Sequence, residues 1–158
     1  MSDFLLARAL HVLGVVMWIG GVAFVTLVLL PALRARVDPQ QRVAFFERIE
    51  SGFARQARWT TLVTGISGFY LVYRLDAWER FAQVSFWWMH AMVAVWAIFT
   101  VMLFVIEPLW LHEWFLTRAR RDLEPTFRMV ERLHWLLLVL SLVTVAGAAA
   151  GSHGWLWM

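Results

Sequence analysis

The sequence predicts an all-α, polytopic membrane protein built as a bundle of four transmembrane helices. Three observations predict it. Of 158 residues, 61% are hydrophobic and 16% charged, whereas a soluble domain carries about 45–50% and about 25%. Eleven Trp and twelve Phe leave too little polar surface to face water. The apolar residues also fall into four runs separated by Arg-bearing stretches. Four spans of about 20 residues would take roughly half the chain, so residues 1–158 read as one membrane domain with no separate soluble catalytic unit.

The first span covers about residues 4–33 and is interrupted only by Arg8 and His11. Met1-Ser2-Asp3 is not a basic leader, and the run after it is too long for a signal h-region, so no cleavable signal is expected. The second span, about 59–75, is short and rich in Thr, Ser and Gly. Its Thr61, Gly65 and Gly68 share one helical face, which suits close packing on a neighbour. The third span covers about 84–111 and the fourth about 131–152. Between the first two, Asp38-Pro39-Gln40-Gln41 supplies an N-cap, a Pro at the first helical position and a Gln three residues on. Val43, Phe46, Ile49 and Phe53 then recur at helical spacing, which predicts a surface helix over about 39–55 lying in the inner headgroup region.

Arg placement predicts orientation. The first loop carries Arg34, Arg36, Arg42, Arg48, Arg55 and Arg58, and the third carries Arg118, Arg120, Arg121, Arg128 and Arg132. The second has only Arg74 and Arg80, balanced by Asp76 and Glu79. Loops one and three are thus expected in the cytoplasm and both termini outside. Trp78, Trp87, Trp155 and Trp157 would form an outer aromatic belt, with Trp59, Trp110, Trp114 and Trp135 an inner one. The net charge of +3 belongs to these loops beside a lipid bilayer and gives no reason to expect nucleic acid.

Chemistry must come from the few polar groups at membrane depth. With no Cys in the chain, thiolate metal sites, iron–sulfur clusters and covalent haem attachment are excluded. His11 and His90 both lie early in spans that descend from the outer side, so they share a depth. Below His11 the stripe continues through Gly14, Trp18 and Gly21; beside His90 it runs through Trp87, Ala94 and Ala97. Small residues one turn from a histidine leave room for a flat macrocycle, and two imidazoles from two helices can hold haem b. His11 and His90 are therefore the candidate iron ligands, with Gly14, Trp18 and Ala94 lining the macrocycle and Arg8 one turn away to pair a propionate. His134 on the inner side, near His112, is a further cofactor candidate. Glu107, directly before Pro108, is expected to pair with Arg58, Arg128 or Arg132, with a proton relay as the sharper alternative.

Several short motifs carry a family resemblance. Arg8-Ala9-Leu10-His11 followed by Trp18-Ile19-Gly20-Gly21 resembles the opening helix shared by HemJ-type protoporphyrinogen oxidases and the CopD copper-resistance membrane domain. Thr64-Gly65 resembles their second helix, and Trp87-Trp88-Met89-His90-Ala91-Met92 the Trp-x-His-x-Lys stretch of HemJ-type proteins. Phe127-Arg128-Met129-Val130-Glu131 resembles the Phe-Arg-x-x-Asn-Glu that precedes their last helix. The resemblance implies a four-helix haem b protein of the bacterial-type inner membrane. It further implies a homo-oligomer (dimer or trimer), a redox partner, and His11 as the first-helix ligand. Met92 stands where the family carries Lys, and a thioether neither carries charge nor moves a proton. That departure separates the expected haem site from protoporphyrinogen oxidase chemistry. The expected function is haem-based redox or electron transfer. The alternatives are copper or small-molecule handling, which would need ligands from face to face, and a non-catalytic membrane subunit with structural histidines.

Overall fold

The protein is described from a computed structural model covering residues 2–154, with every side chain in that range except that of His112. The described residues form five helices. Helix α1 spans Ser2–Arg36, α2 Pro39–Arg74, α3 Val84–Leu111, α4 His112–Arg121 and α5 Leu123–Ser152. Of these, α1, α3 and α5 are long and apolar enough to cross a membrane. Large apolar side chains face outward along them, as Leu6 and Leu13 do on α1, where soluble proteins would place polar groups.

α1 and α2 form an antiparallel hairpin in contact along its whole length. Ala7, Gly14, Trp18 and Val22 are the buried stripe of α1, so the side of that helix bearing His11 and Trp18 faces protein. At one end Asp3 accepts a hydrogen bond from the Tyr70 hydroxyl at 2.7 Å and pairs with Arg74 at 3.3 Å. At mid-length Gln56 donates to the Met17 carbonyl, and further along the Phe53 ring lies where a Cβ on Gly21 would be.

The start of α2 follows the capping signal. Asp38 accepts from the Gln40 amide at 3.3 Å, and Pro39 occupies the first turn. The expected boundary between a surface helix and the second span is not seen, because Pro39–Arg74 is a single 36-residue helix. No Pro falls between residues 40 and 74 to end it, and Gly52 sits within the helix with no side chain near its Cβ position. The stripe expected to lie on headgroups packs inward instead. Phe46 is buried with Val25, Leu29, Leu30, Leu33, Phe115 and Phe127, and Val43, Ile49 and Phe53 pack against that cluster.

The small-residue face of α2 is where its neighbours come closest. Thr61, Thr64, Gly65 and Ser67 are buried. Trp96 of α3 lies over Gly65 and donates its indole N–H to the Thr61 carbonyl at 2.9 Å. The same device joins α3 to α5, where Gly147 seats Trp87 and Gly151 seats Trp88. Trp87 is thus held against α5, and Trp155 and Trp157 lie outside the described residues.

Two π-helical stretches interrupt the apolar helices, Val25–Leu29 in α1 and Met102–Leu111 in α3. Each adjoins or contains a proline, Pro31 or Pro108. In the wider π turn the amide of residue 108 would bond the carbonyl of residue 103, but proline has no N–H to give. Arg58 of α2 supplies the missing donor: its Nε–H meets the Leu103 carbonyl at 3.0 Å. Its terminal nitrogen simultaneously pairs with Glu107. Of the three arginines weighed for Glu107, the structure brings Arg58.

Candidate functional site

His11 is half-buried on the α2 face of α1. Its Nδ1 lies 3.0 Å from the Thr64 carbonyl oxygen. A carbonyl can only accept, so Nδ1 carries the proton and Nε2 keeps its lone pair. Ser67 Oγ lies 3.4 Å from the same Nδ1, and a Cβ on Gly68 would come within 3.0 Å of the ring. The α2 backbone therefore sets both the tautomer and the tilt of this imidazole. Its neighbour Arg8 is exposed.

The space expected beneath His11 is taken. A Cβ on Gly14 would lie 2.4 Å from Thr64 Oγ1 and 3.3 Å from the Thr60 carbonyl, so this glycine serves helix–helix approach. Trp18 is 3% exposed and packs edge-on against Phe99, with ring centroids 4.8 Å apart. Its indole N–H has no hydrogen-bond partner among the described residues. Trp18 is a core residue where α1 meets α3 and α5, together with Val22, Val95 and Leu138.

His90 takes a different partner. It is exposed, its Nε2 bonds the Phe81 carbonyl at 2.9 Å, and its ring stands edge-on to Phe81 at 5.4 Å. Its proton thus sits on Nε2 and the lone pair on Nδ1, the reverse of His11. Ala94 is exposed one turn further on. Depth matching placed both histidines early in descending helices, but it could not see that His11 faces α2 while His90 faces the 3-10 turn at Trp78–Ala82. The two rings engage separate elements, His11 the α2 backbone and His90 the turn before α3.

His134 resembles His11 in its chemistry. Its Nδ1 bonds the Val130 carbonyl one turn earlier at 2.9 Å, leaving Nε2 as the acceptor. The residue lines a cavity of about 310 Å³ whose walls come from all five helices. Trp18, Phe53, Phe99, Trp110 and Trp114 supply much of the apolar wall, and Glu47, Glu50 and Glu107 supply carboxylates. Sequence reading missed this cavity, since no local motif marks a space that five helices close. The carboxylates at Glu47 and Glu50, three residues apart on an otherwise apolar stripe, were the available signal. Among the described residues no group of three or more His, Asp or Glu is placed to hold a metal ion. His112 was the other inner histidine of interest, and its side chain lies outside the described ones. In comparisons with protein-family models, curated proteins and solved structures, nothing matches this chain.

Proposed function

We propose that this chain is a four-crossing membrane protein that binds haem b through His11 and serves redox chemistry or electron transfer. The observation that carries the reading is the His11 imidazole, with Nδ1–H fixed on the Thr64 carbonyl and the Nε2 lone pair uncommitted. Metal-bound histidines take this form, since a backbone acceptor fixes the tautomer and raises the basicity of the other nitrogen. His11 is favoured over His90 because its free lone pair is on Nε2, clear of the Cβ branch, whereas His90 leaves only the crowded Nδ1 free. Bound haem supplies one-electron redox chemistry. The chain would supply the ligand, the α2 backbone that orients it, and Arg8, one turn away, as a partner for a propionate. The exposed apolar side of α1, opposite His11, is where a second copy of the chain would pack in an oligomer.

Absorption spectra of the purified protein test the reading. The wild type should show a Soret band with reducible α and β bands, and His11→Ala should lose the haem while remaining inserted. His90→Ala should retain it, because breaking the Phe81 contact leaves the His11 anchor intact. A wild-type spectrum in His11→Ala would end this assignment and pass attention to His134.

The fourth crossing is the C-terminal half of α2. Thr60, Thr64 and Ser67 lower its hydropathy, yet each donates to a carbonyl one turn back, so no hydroxyl among them is left dry in lipid. The Arg distribution gives cytoplasmic loops one and three, in a membrane of the bacterial inner type. The absence of native Cys makes the check direct. Single cysteines at Asp76 and Ser152 should react with an impermeant thiol reagent from outside, and one at Gln40 should not. The opposite labelling would invert the topology.

A further inference from the structure

The first turns of α5 carry positive charge that the chain does not neutralise itself. Two carboxylates lie there, Glu124 and Glu131, and the first hairpin takes both. Glu131 pairs with Arg34 at 2.7 Å; Glu124 pairs with Arg42 and, at 3.8 Å, with Arg34. Arg128 and Arg132 are exposed, and neither forms an ion pair among the described residues. Arg118, Arg120 and Arg121 at the end of α4 are exposed as well, against the exposed carboxylates Glu113 and Asp122. Arg128 and Arg132 stand four residues apart, so they share a helical face, and that face continues through Trp135, Leu136, Val139 and Val143. These four are exposed too. From the helix start inward the stripe reads cation, indole, aliphatic. An anionic phospholipid has the matching order of phosphate, glycerol ester and acyl chain. The length also agrees. From Arg128 to Val143 the helix rises about 22 Å at 1.5 Å per residue, one leaflet of a bilayer about 40–45 Å thick with its headgroups. Helical side chains lean toward the N-terminus, so both guanidinium groups reach outward to the headgroup layer. Trp135 then falls at ester level, where indoles collect. A lipid without net charge would meet the same apolar stripe and leave both arginines without a counter-charge.

We propose that this stripe of α5 binds an anionic phospholipid, its phosphate held by Arg128 and Arg132 and its chains laid along Leu136, Val139 and Val143. Arginine suits the task, since its fork of N–H donors matches phosphate oxygens. The site rests on α5 as a membrane-crossing helix and does not depend on the haem reading.

Native mass spectrometry of the full chain in nonionic detergent tests it, with phosphatidylglycerol and phosphatidylcholine of identical acyl chains as probes. Phosphatidylglycerol should bind the wild type about tenfold more tightly, because each arginine near the surface adds to the attraction for anionic lipid. Arg128→Gln/Arg132→Gln should abolish that preference and leave phosphatidylcholine binding unchanged. Arg48→Gln/Arg55→Gln removes two exposed arginines from α2. It costs the chain the same charge away from the stripe, and the preference should persist. Glycerol phosphate, which has the phosphate without the chains, should not displace the bound lipid. Should Arg128→Gln/Arg132→Gln aggregate, Arg132→Gln alone should reduce the preference in its place. His11→Ala should bind phosphatidylglycerol as the wild type does, so a failed haem assignment and a failed lipid site remain distinguishable. Equal affinity for the two lipids, an equal loss in the two arginine pairs, unchanged preference in the folded α5 variants, or displacement by glycerol phosphate would each overturn the proposal.

Discussion

Arg58→Leu should lower the stability of the detergent-solubilised protein by about 3 kcal/mol, read from the midpoint of thermal or denaturant unfolding. That is the lower end of the range for breaking a buried ion pair, chosen because the Arg58 side chain is one third exposed (33%) and Glu107 is less so (19%). Two losses combine. Glu107 is left without its counter-charge, and the Leu103 carbonyl loses the donor that stands in for the missing amide of Pro108. Arg58→Leu/Glu107→Leu should recover much of the deficit, since removing both charges leaves only the carbonyl unsatisfied. Arg58→Lys should fall between, because an ammonium can meet one acceptor but lacks the fork that reaches both. A wild-type midpoint in Arg58→Leu would show that the pair contributes nothing.

Gly14→Leu should be comparably damaging, by about 3 kcal/mol, the upper end for overpacking a core. Its first added carbon would fall 2.4 Å from Thr64 Oγ1, with α2 backbone atoms at 3.3 and 3.4 Å behind it. Backbone cannot rotate aside as a flexible side chain can, so α1 must lift from α2. Thr64 is also the residue whose carbonyl holds His11. On the haem reading, stability and haem content should therefore fall together in this variant. Gly20→Leu on the same helix meets nothing within 4 Å and should leave both unchanged. Equal behaviour of the two variants would dissociate the glycine contact from His11.

The parts of this molecule legible in sequence are those governed by local spacing. The Asp38-Pro39 start, the small-residue face at Thr61 and Gly65, and the pairing of Glu107 follow from residue type and helical period. The continuity of α2 was less legible. A change from Arg-bearing to apolar composition near residue 58 suggests two elements, yet nothing there breaks hydrogen bonding, so the helix runs on. The histidines show the same limit. Counting residues from a helix end gives depth, and it gives no azimuth. His11 turned to a carbonyl on α2, while His90 found one in the turn just before its own helix. The cavity was further from view, since Glu47 and His134 meet there only after five helices have packed.

The length of the first hairpin bears on how the protein is made. Helix α1, at 35 residues, extends about 52 Å at 1.5 Å per residue, well beyond the roughly 30 Å of a bilayer interior. On the four-crossing reading, its Arg-bearing end and the first half of α2 project past the lipid, packed against α4 and the start of α5. On the four-crossing reading, α2 is also too polar to be released sideways into lipid by itself. Its polar face is covered by α1, through Thr64 on His11 and Gln56 on the Met17 carbonyl. The unit stable in lipid is then the hairpin, in which α1 covers the polar face of α2. Only afterwards can α3 settle, because the gap in its carbonyl ladder is filled by an arginine that arrives on α2. The dependence of one helix on another is thus set by which supplies the hydrogen bond that the other lacks.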